Sequence, residues 1–291
     1  MRHIPVGSLR AVHDPLESRL SHLQLDINMP TTVPRLRIAI GQLQMRWSCN
    51  ENVEAILRTI SHAASARADI CVFPELAVTG FHRQIRALAK PETIDPWLQA
   101  IQSACAAHSM AVAVGAPTFD DEARVFNSHV LIGESGEISG VISKRGLTPS
   151  EETFFARGAS RPTLVLQDRR CTSVLCREVE DLQEICAQLA PGVAELIFWP
   201  GLIGRAPADS FDTESEAHIG QACALAVHAQ AFVVQANWPN SLNYPEEGTH
   251  AGQSVVIDPA GAILLRLPRA EAGVAIFELG DTSYDWQVQE A

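Results

Sequence analysis

No apolar run in these 291 residues approaches the ~18 that a membrane-spanning helix needs, so no such helix is expected. No block of lysine or arginine is present either. The 22 Lys and Arg face 34 Asp and Glu, a formal net charge of −12, so the electrostatic footprint for nucleic acid or an anionic membrane is missing. The opening stretch MRHIPVGSLRAVHDPLESRL lacks the apolar centre of a secretory signal, and a cytoplasmic protein is the expectation. Paired cysteine spacing is absent too. Cys49, Cys71, Cys105, Cys171, Cys176, Cys186 and Cys223 are odd in number, scattered and mostly inside apolar segments. Reduced thiols are expected from this, with no disulfide frame and no metal site. What remains, 46% hydrophobic and 19% charged, is an ordinary globular composition able to bury a large core, and small-molecule chemistry is the natural class.

Residues 1–34 carry Pro15, Pro30 and Pro34 without sustained periodicity and read as an N-terminal extension. From Arg35 the pattern alternates. LRIAIGQL reads as a strand, NENVEAILRTISHAASAR as an amphipathic helix and ADICVFPE as a strand again. A helix over TIDPWLQAIQSACAAHS, the strand MAVAVGAP and a hairpin of FNSHVLIG with EISGVISK follow. TSVLC, AELIFWP and AFVVQAN read as later strands, EAHIGQACALAVHAQ as a helix, and GQSVVIDPAGAILLRLP as a closing hairpin. One α/β domain over 35–280 with a tail at 281–291 is the simplest account.

Open α/β sheets put their reacting groups beyond the carboxyl ends of strands. Three ionisable residues stand there: Glu75 ends DICVFPE, Lys144 ends EISGVISK and Cys176 ends TSVLC. Each alone has an ordinary reading, as a capping acid, an edge lysine or a small buried hydrophobe. Together they make a nucleophile, because a carboxylate can take the thiol proton while an ammonium stabilises the anion formed.

These stretches resemble the motifs of the nitrilase superfamily of carbon–nitrogen hydrolases, in order, over nearly the whole chain from Arg35 to about Leu279: FPELAVTGF, GEISGVISKRGL and VLCRE, with FNSHVLIGESGEISG, FVVQAN and SVVIDPAGAIL in their places. The resemblance implies a four-layer α-β-β-α sandwich, usually paired into a homodimer or higher homo-oligomer, and no cofactor. It implies Glu75 as base, Lys144 as oxyanion partner and Cys176 as nucleophile. Glu151, in SEETFFARG, is implied as the acid that holds the lysine, and the Arg177 backbone as an oxyanion donor. The implied reaction is hydrolysis of a small amide through a thioester. N-carbamoyl hydrolysis, nitrile hydrolysis and a non-catalytic ligand-binding role are the alternatives.

His82, Trp199 and Trp238 are candidates for the substrate pocket, and the Arg177 guanidinium is a candidate for gripping a substrate carboxylate. Its alternative is a surface pair with Glu178, Glu180 or Asp181. A Cys-His-Asp site is weighed against this, but no histidine stands at a strand end beside an acid. The chain also departs from the family's usual pattern. Leu225 and His228 replace an Arg and Glu that relatives often carry, Thr172 replaces a frequent glycine, and EVEDLQE lacks the usual Phe-Pro-Glu.

Overall fold

The computed structural model describes residues 35–203, 208–243 and 252–289, with backbone alone over 208–214; the N-terminal extension, 1–34, lies outside the described residues. In chain order the elements are β1 (Arg37–Gln42), α1 (Cys49–Ser65), β2 (Ile70–Val72), α2 (Ile85–Leu88), α3 (Pro91–His108), β3 (Ala111–Phe119), β4 (Val125–Ile132), β5 (Ile138–Ser143), β6 (Leu164–Leu166) and β7 (Arg169–Ser173). Then come α4 (Leu182–Gln188), β8 (Leu196–Gly201), α5 (Ala208–Ala229), β9 (Phe232–Asn237), β10 (Val255–Ile257), β11 (Ile263–Arg266), β12 (Gly273–Glu278) and β13 (Asp285–Val288). The strands form two sheets, ordered β13-β12-β1-β2-β3-β4-β5 and β11-β10-β9-β8-β7-β6.

At the centre of each sheet three strands run parallel, β1-β2-β3 in one and β7-β8-β9 in the other. Five of these strands are largely apolar on both faces because both faces are covered, while β7, RRCTS, is polar and buries only Cys171, Thr172 and Ser173. The period of two decides which layer each side chain enters. Ile38, Ile40, Ile70 and Val72 enter the layer between the sheets, where Leu196, Phe198, Val234 and Ala236 meet them. Their neighbours Ala39, Cys71 and Phe73 face outward with Val53, Ile56 and Ile60 of α1 and Ile101 and Cys105 of α3. On the far side Ile197, Trp199 and Val233 pack with Ile219, Ala222 and Leu225 of α5. The layers therefore run helix, sheet, sheet, helix, the four-layer sandwich that the motifs imply.

Three strands differ from the sequence reading. β6, at the edge of the second sheet, pairs antiparallel with β7 from Leu164 opposite Cys171 to Leu166 opposite Arg169 and was not read as a strand. β12 lies between β1 and β13, in register from Arg37 opposite Glu278 to Gln42 opposite Gly273, and had not been singled out as a strand. The segment set aside as a tail carries β13, which pairs Gly273 with Val288 and Ile276 with Asp285. At a sheet edge only Trp286 of this strand packs against the core, so alternation gives no signal. Helix α5 buries Leu225, while His228 Nε2 lies 3.1 Å from the Leu189 carbonyl.

Candidate active site

Glu75 and Cys176 stand in the turns beyond β2 and β7, past the last residues of those strands, and Lys144 directly follows β5. The Glu75 turn is laced to β3 by Phe73 N to Ala113 O (2.9 Å) and Val78 N to Gly115 O (3.1 Å). It crosses Gly115 so closely that a Cβ there would lie 2.2 Å from Leu76 N and 2.3 Å from Pro74 O. Only glycine admits that approach. Leu76 takes the left-handed backbone at φ +53°, uncommon for a bulky residue, and Trp238 Nε1 donates to the Glu75 carbonyl at 2.8 Å. The carboxyl group is thereby held wholly inside the protein, with 0% of the residue exposed.

Its two oxygens are treated differently. Oε1 accepts from Asn127 Nδ2 of β4 at 2.8 Å and from Lys144 Nζ at 2.8 Å, whereas buried Oε2 has no hydrogen-bond partner. Lys144 Nζ also donates to Glu151 Oε1 at 2.6 Å. Glu151 is fixed in turn by Thr148 N at its Oε2, 2.8 Å away. The Phe81 ring centroid lies 5.8 Å from the ammonium.

Cys176 opens a 3-10 turn, Cys176–Asp181, and itself has φ +50°. Strained backbone of this kind persists only where the surroundings over-determine it, and here they do. Trp199 Nε1 donates to the Cys176 carbonyl at 2.9 Å. Beneath the turn, buried Glu178 accepts from Leu175 N (2.6 Å), Arg145 N (2.7 Å), Gly146 N (3.0 Å) and Arg161 Nη2 (2.9 Å). Arg161 also donates to the Ser173 carbonyl. The turn that carries Cys176 is thus tied to the loop after Lys144.

The charges follow from this packing. Burial pushes the Cys176 thiol up to about 12, the neighbouring charge of Glu75 adds to the rise, and Lys144 opposes it. Burial also raises Glu75, with Lys144 as the main opposing influence. Desolvation works to lower Lys144, but Glu75, Cys176 and Glu151 outweigh it and hold the amine firmly as an ammonium. Glu178 goes the other way: burial raises it, but Arg161 and the backbone donors more than compensate and leave it below the usual carboxylate range. A cavity of about 720 Å³ opens onto Cys176, Lys144 and Glu151.

A sequence model described as carbon-nitrogen hydrolase matches residues 37–287. The chain belongs to the carbon–nitrogen hydrolase family. Among solved structures, an amidase from Nesterenkonia sp. superposes with a TM-score of 0.73 at 24% identity, over 84% of this chain and 90% of that one. A Cys→Ala mutant of the Nesterenkonia sp. AN1 amidase in complex with butyramide gives the same four values. Another form of that amidase, showing Michael addition of acrylamide at its active-site cysteine, superposes at 0.73 and 24% identity over 85% and 94%. At this identity the likeness establishes the fold. No curated protein matches the chain.

In this carbon–nitrogen hydrolase, Lys144, Glu151, Cys176, Arg177 and His82 all line the cavity, and Glu75 lies behind the wall, bonded to Lys144. His82 is buried with its ring 4.8 Å from Trp47, and burial lowers its pKa. Trp199 and Trp238 need correction as pocket residues. Neither lines the cavity; their indole N–H groups are spent on the carbonyls of Cys176 and Glu75. The Arg177 guanidinium bonds Glu180 (3.2 Å) and Asp181 (3.3 Å), while Glu178, offered above as its surface partner, is buried against Arg161.

Sequence reasoning missed Asn127, Arg161 and Glu178. Asn127 sits in the quoted stretch FNSHVLIG as a polar residue within an apolar strand, which was signal enough. Glu178 gave none, because inside CREVED it reads as one more solvated acid. Thr172, in place of a frequent glycine, is buried and donates to the Pro162 carbonyl at 2.8 Å. No group of three or more His, Cys, Asp or Glu among the described residues could hold a metal ion, and none of their helices is long and apolar enough to cross a membrane.

Proposed function

We propose that this chain hydrolyses the C–N bond of a small amide, with Cys176 as nucleophile, Glu75 as general base and acid, and Lys144 as the electrostatic partner held in place by Glu151. The observation that carries this reading is the division of labour on Glu75. One oxygen is saturated by Lys144 and Asn127, and the other is buried and without a partner, while the charges of both Glu75 and Lys144 act on the Cys176 sulfur.

A thiol pushed up to about 12 is protonated at rest, so it must lose its proton as it attacks. In the proposed cycle the free oxygen of Glu75 takes that proton while Sγ bonds to the amide carbon. The oxyanion is stabilised by the Lys144 ammonium and by the backbone N–H of Arg177, in the first turn of the 3-10 segment where donors lack partners within the helix. Protonated Glu75 then returns the proton to the departing nitrogen. The C–N bond breaks, ammonia or an amine leaves, and a thioester remains. Water, deprotonated by Glu75, attacks the thioester and releases the acid and the thiol. The active-site cysteine recorded for the similar Nesterenkonia sp. AN1 amidase, which takes covalent adducts, fits this chemistry.

The test is ammonia release from a panel of primary amides, N-carbamoyl amino acids and nitriles, measured for the wild type and for Cys176→Ser. Turnover is expected on amides and its loss in the variant. Turnover confined to nitriles or carbamoyl compounds would reassign the substrate, and a Cys176→Ser protein with wild-type rates would sink the mechanism.

A further inference from the structure

We propose that the amide carries a carboxylate at the end remote from the scissile bond, and that Arg83 and Arg86 bind it. This deepens the reading above and rests on it. Four cations of fixed charge line the cavity: Arg83, Arg86, Lys144 and Arg177. Lys144 is neutralised by Glu75 and Glu151, and Arg177 by Glu180 and Asp181. Arg83 and Arg86 have no carboxylate partner among the described residues. In a chain with 34 acids against 22 Lys and Arg, two guanidiniums without a carboxylate partner among the described residues concentrate positive charge where a substrate enters.

Both are held in place by uncharged partners. The Arg83 guanidinium stacks 5.0 Å from the Trp47 ring centroid. Arg86 lies 5.3 Å from that of Phe154, and its Nη2 donates to the Thr153 carbonyl at 3.2 Å and to the Thr153 hydroxyl. Its Nε and Nη1 form no hydrogen bond to a described residue. Side chains ordered before binding lose less entropy when a ligand arrives, and the planar fork of arginine matches a carboxylate in bidentate fashion. The cavity, about 720 Å³, falls within the ~300–1,000 Å³ range of sites that enclose drug-sized ligands. It has room for a chain joining an amide at Cys176 to an anion at the two arginines. The guanidinium considered first from the sequence, Arg177, is the less suitable one, because its acids already occupy it.

The probes are monoamides of dicarboxylic acids in a series of chain lengths, each beside its neutral diamide. Turnover of the wild type is expected to favour one monoamide by at least about tenfold in kcat/KM. Arg83→Ala/Arg86→Ala should cut that value about 10- to 150-fold, the reach of a charged hydrogen bond, chiefly through KM, with a much smaller loss on the diamide. Arg86→Lys, which keeps the charge, should recover part of the loss. Binding is measured separately by calorimetry in Cys176→Ala, where the monoamide should bind at least about tenfold tighter than the diamide and the added Arg83→Ala/Arg86→Ala should erase the difference. Equal affinities for monoamide and diamide at every chain length would overturn the anion site. Absence of turnover on every amide would instead overturn the hydrolase reading, and the calorimetry would still judge the anion site by itself.

Discussion

Two glutamates on either side of Cys176 are equally buried, Glu75 at 0% and Glu178 at 1% exposure, yet their pKa values move in opposite directions. Burial raises both. What differs is the distribution of donors. Glu178 is surrounded by backbone N–H groups and a guanidinium on both oxygens, which locks it as an anion. Glu75 has two donors crowded onto one oxygen and none on the other. A carboxylate left half-satisfied can take up and return a proton; one fully satisfied can only hold structure. In the proposed cycle the region behind the thiol changes charge while the region beneath it stays fixed.

The sharpest break in that comparison comes at the residue between the two regions. Cys176→Ala should remove turnover to background while the thermal midpoint stays within a few degrees, since little packing is lost at a cavity wall. Next come Glu75→Gln and Lys144→Met, each expected to cost about 10²–10⁴ in rate, the range for general-base and oxyanion groups. A loss under about tenfold in either would remove that residue from its role. Glu75→Gln should also leave the fold as stable as the wild type or more so, because it replaces a charge that burial disfavours.

The fixed region predicts the reverse pairing of effects. Glu178→Gln leaves the Arg161 charge buried without its partner and should cost about 3–5 kcal/mol of stability, measured by urea unfolding near neutral pH. The pKa of Glu178 is depressed in the folded state, so its stabilisation is fully present above the unfolded carboxylate value of about 4.3 and is lost as pH falls through the folded value. The wild type should weaken more in acid than Glu178→Gln does, and equal acid sensitivity would refute the assignment.

How far the sequence exposed this site depended on what each residue signals locally. Glu75, Lys144 and Cys176 were legible because each follows an apolar strand, where a lone ionisable group stands out. Arg161 and Glu178 were not, since their pairing joins a loop to an acidic cluster through tertiary contact alone. The tryptophans misled for a related reason: a large aromatic near a strand end suits a pocket wall, and only the tertiary fold turns its N–H toward a turn carbonyl. At fold level most of the parallel strands declared themselves by continuous apolar runs, whereas β7, RRCTS, and β13 at the sheet edge carried no comparable pattern.

A pH profile sharpens the contrast further. If Glu75 must be ionised to accept the thiol proton, kcat/KM falls as pH drops through its raised value. The acid limb should then lie above the ordinary carboxylate value of about 4.3, at a pH where Glu178 is still ionised. Glu178→Gln should leave the midpoint of that limb in place at any pH where the variant remains folded. A limb below about 4.3, or one that moves with Glu178, would mean that the two carboxylates do not divide their roles as described.

The smallest effect is expected at the outer surface of the same turn, where Arg177 pairs with Glu180 and Asp181 at 3.2 and 3.3 Å. These side chains are 28%, 40% and 37% exposed, so water screens the pairs, and ion pairs of this kind contribute about 0–1 kcal/mol. Arg177→Ala keeps the backbone N–H assigned to the oxyanion. It should change kcat/KM by less than about fivefold, and by the same factor on a dicarboxylate monoamide and its neutral diamide. A selective loss on the monoamide would show the guanidinium leaving its acids for the substrate, and would move the anion site from Arg83 and Arg86 to the rim of the nucleophile turn. An equal but large loss on both would mean that the salt bridges to Glu180 and Asp181 fix the left-handed backbone at Cys176, extending the rigid region from the buried Glu178 out to the surface.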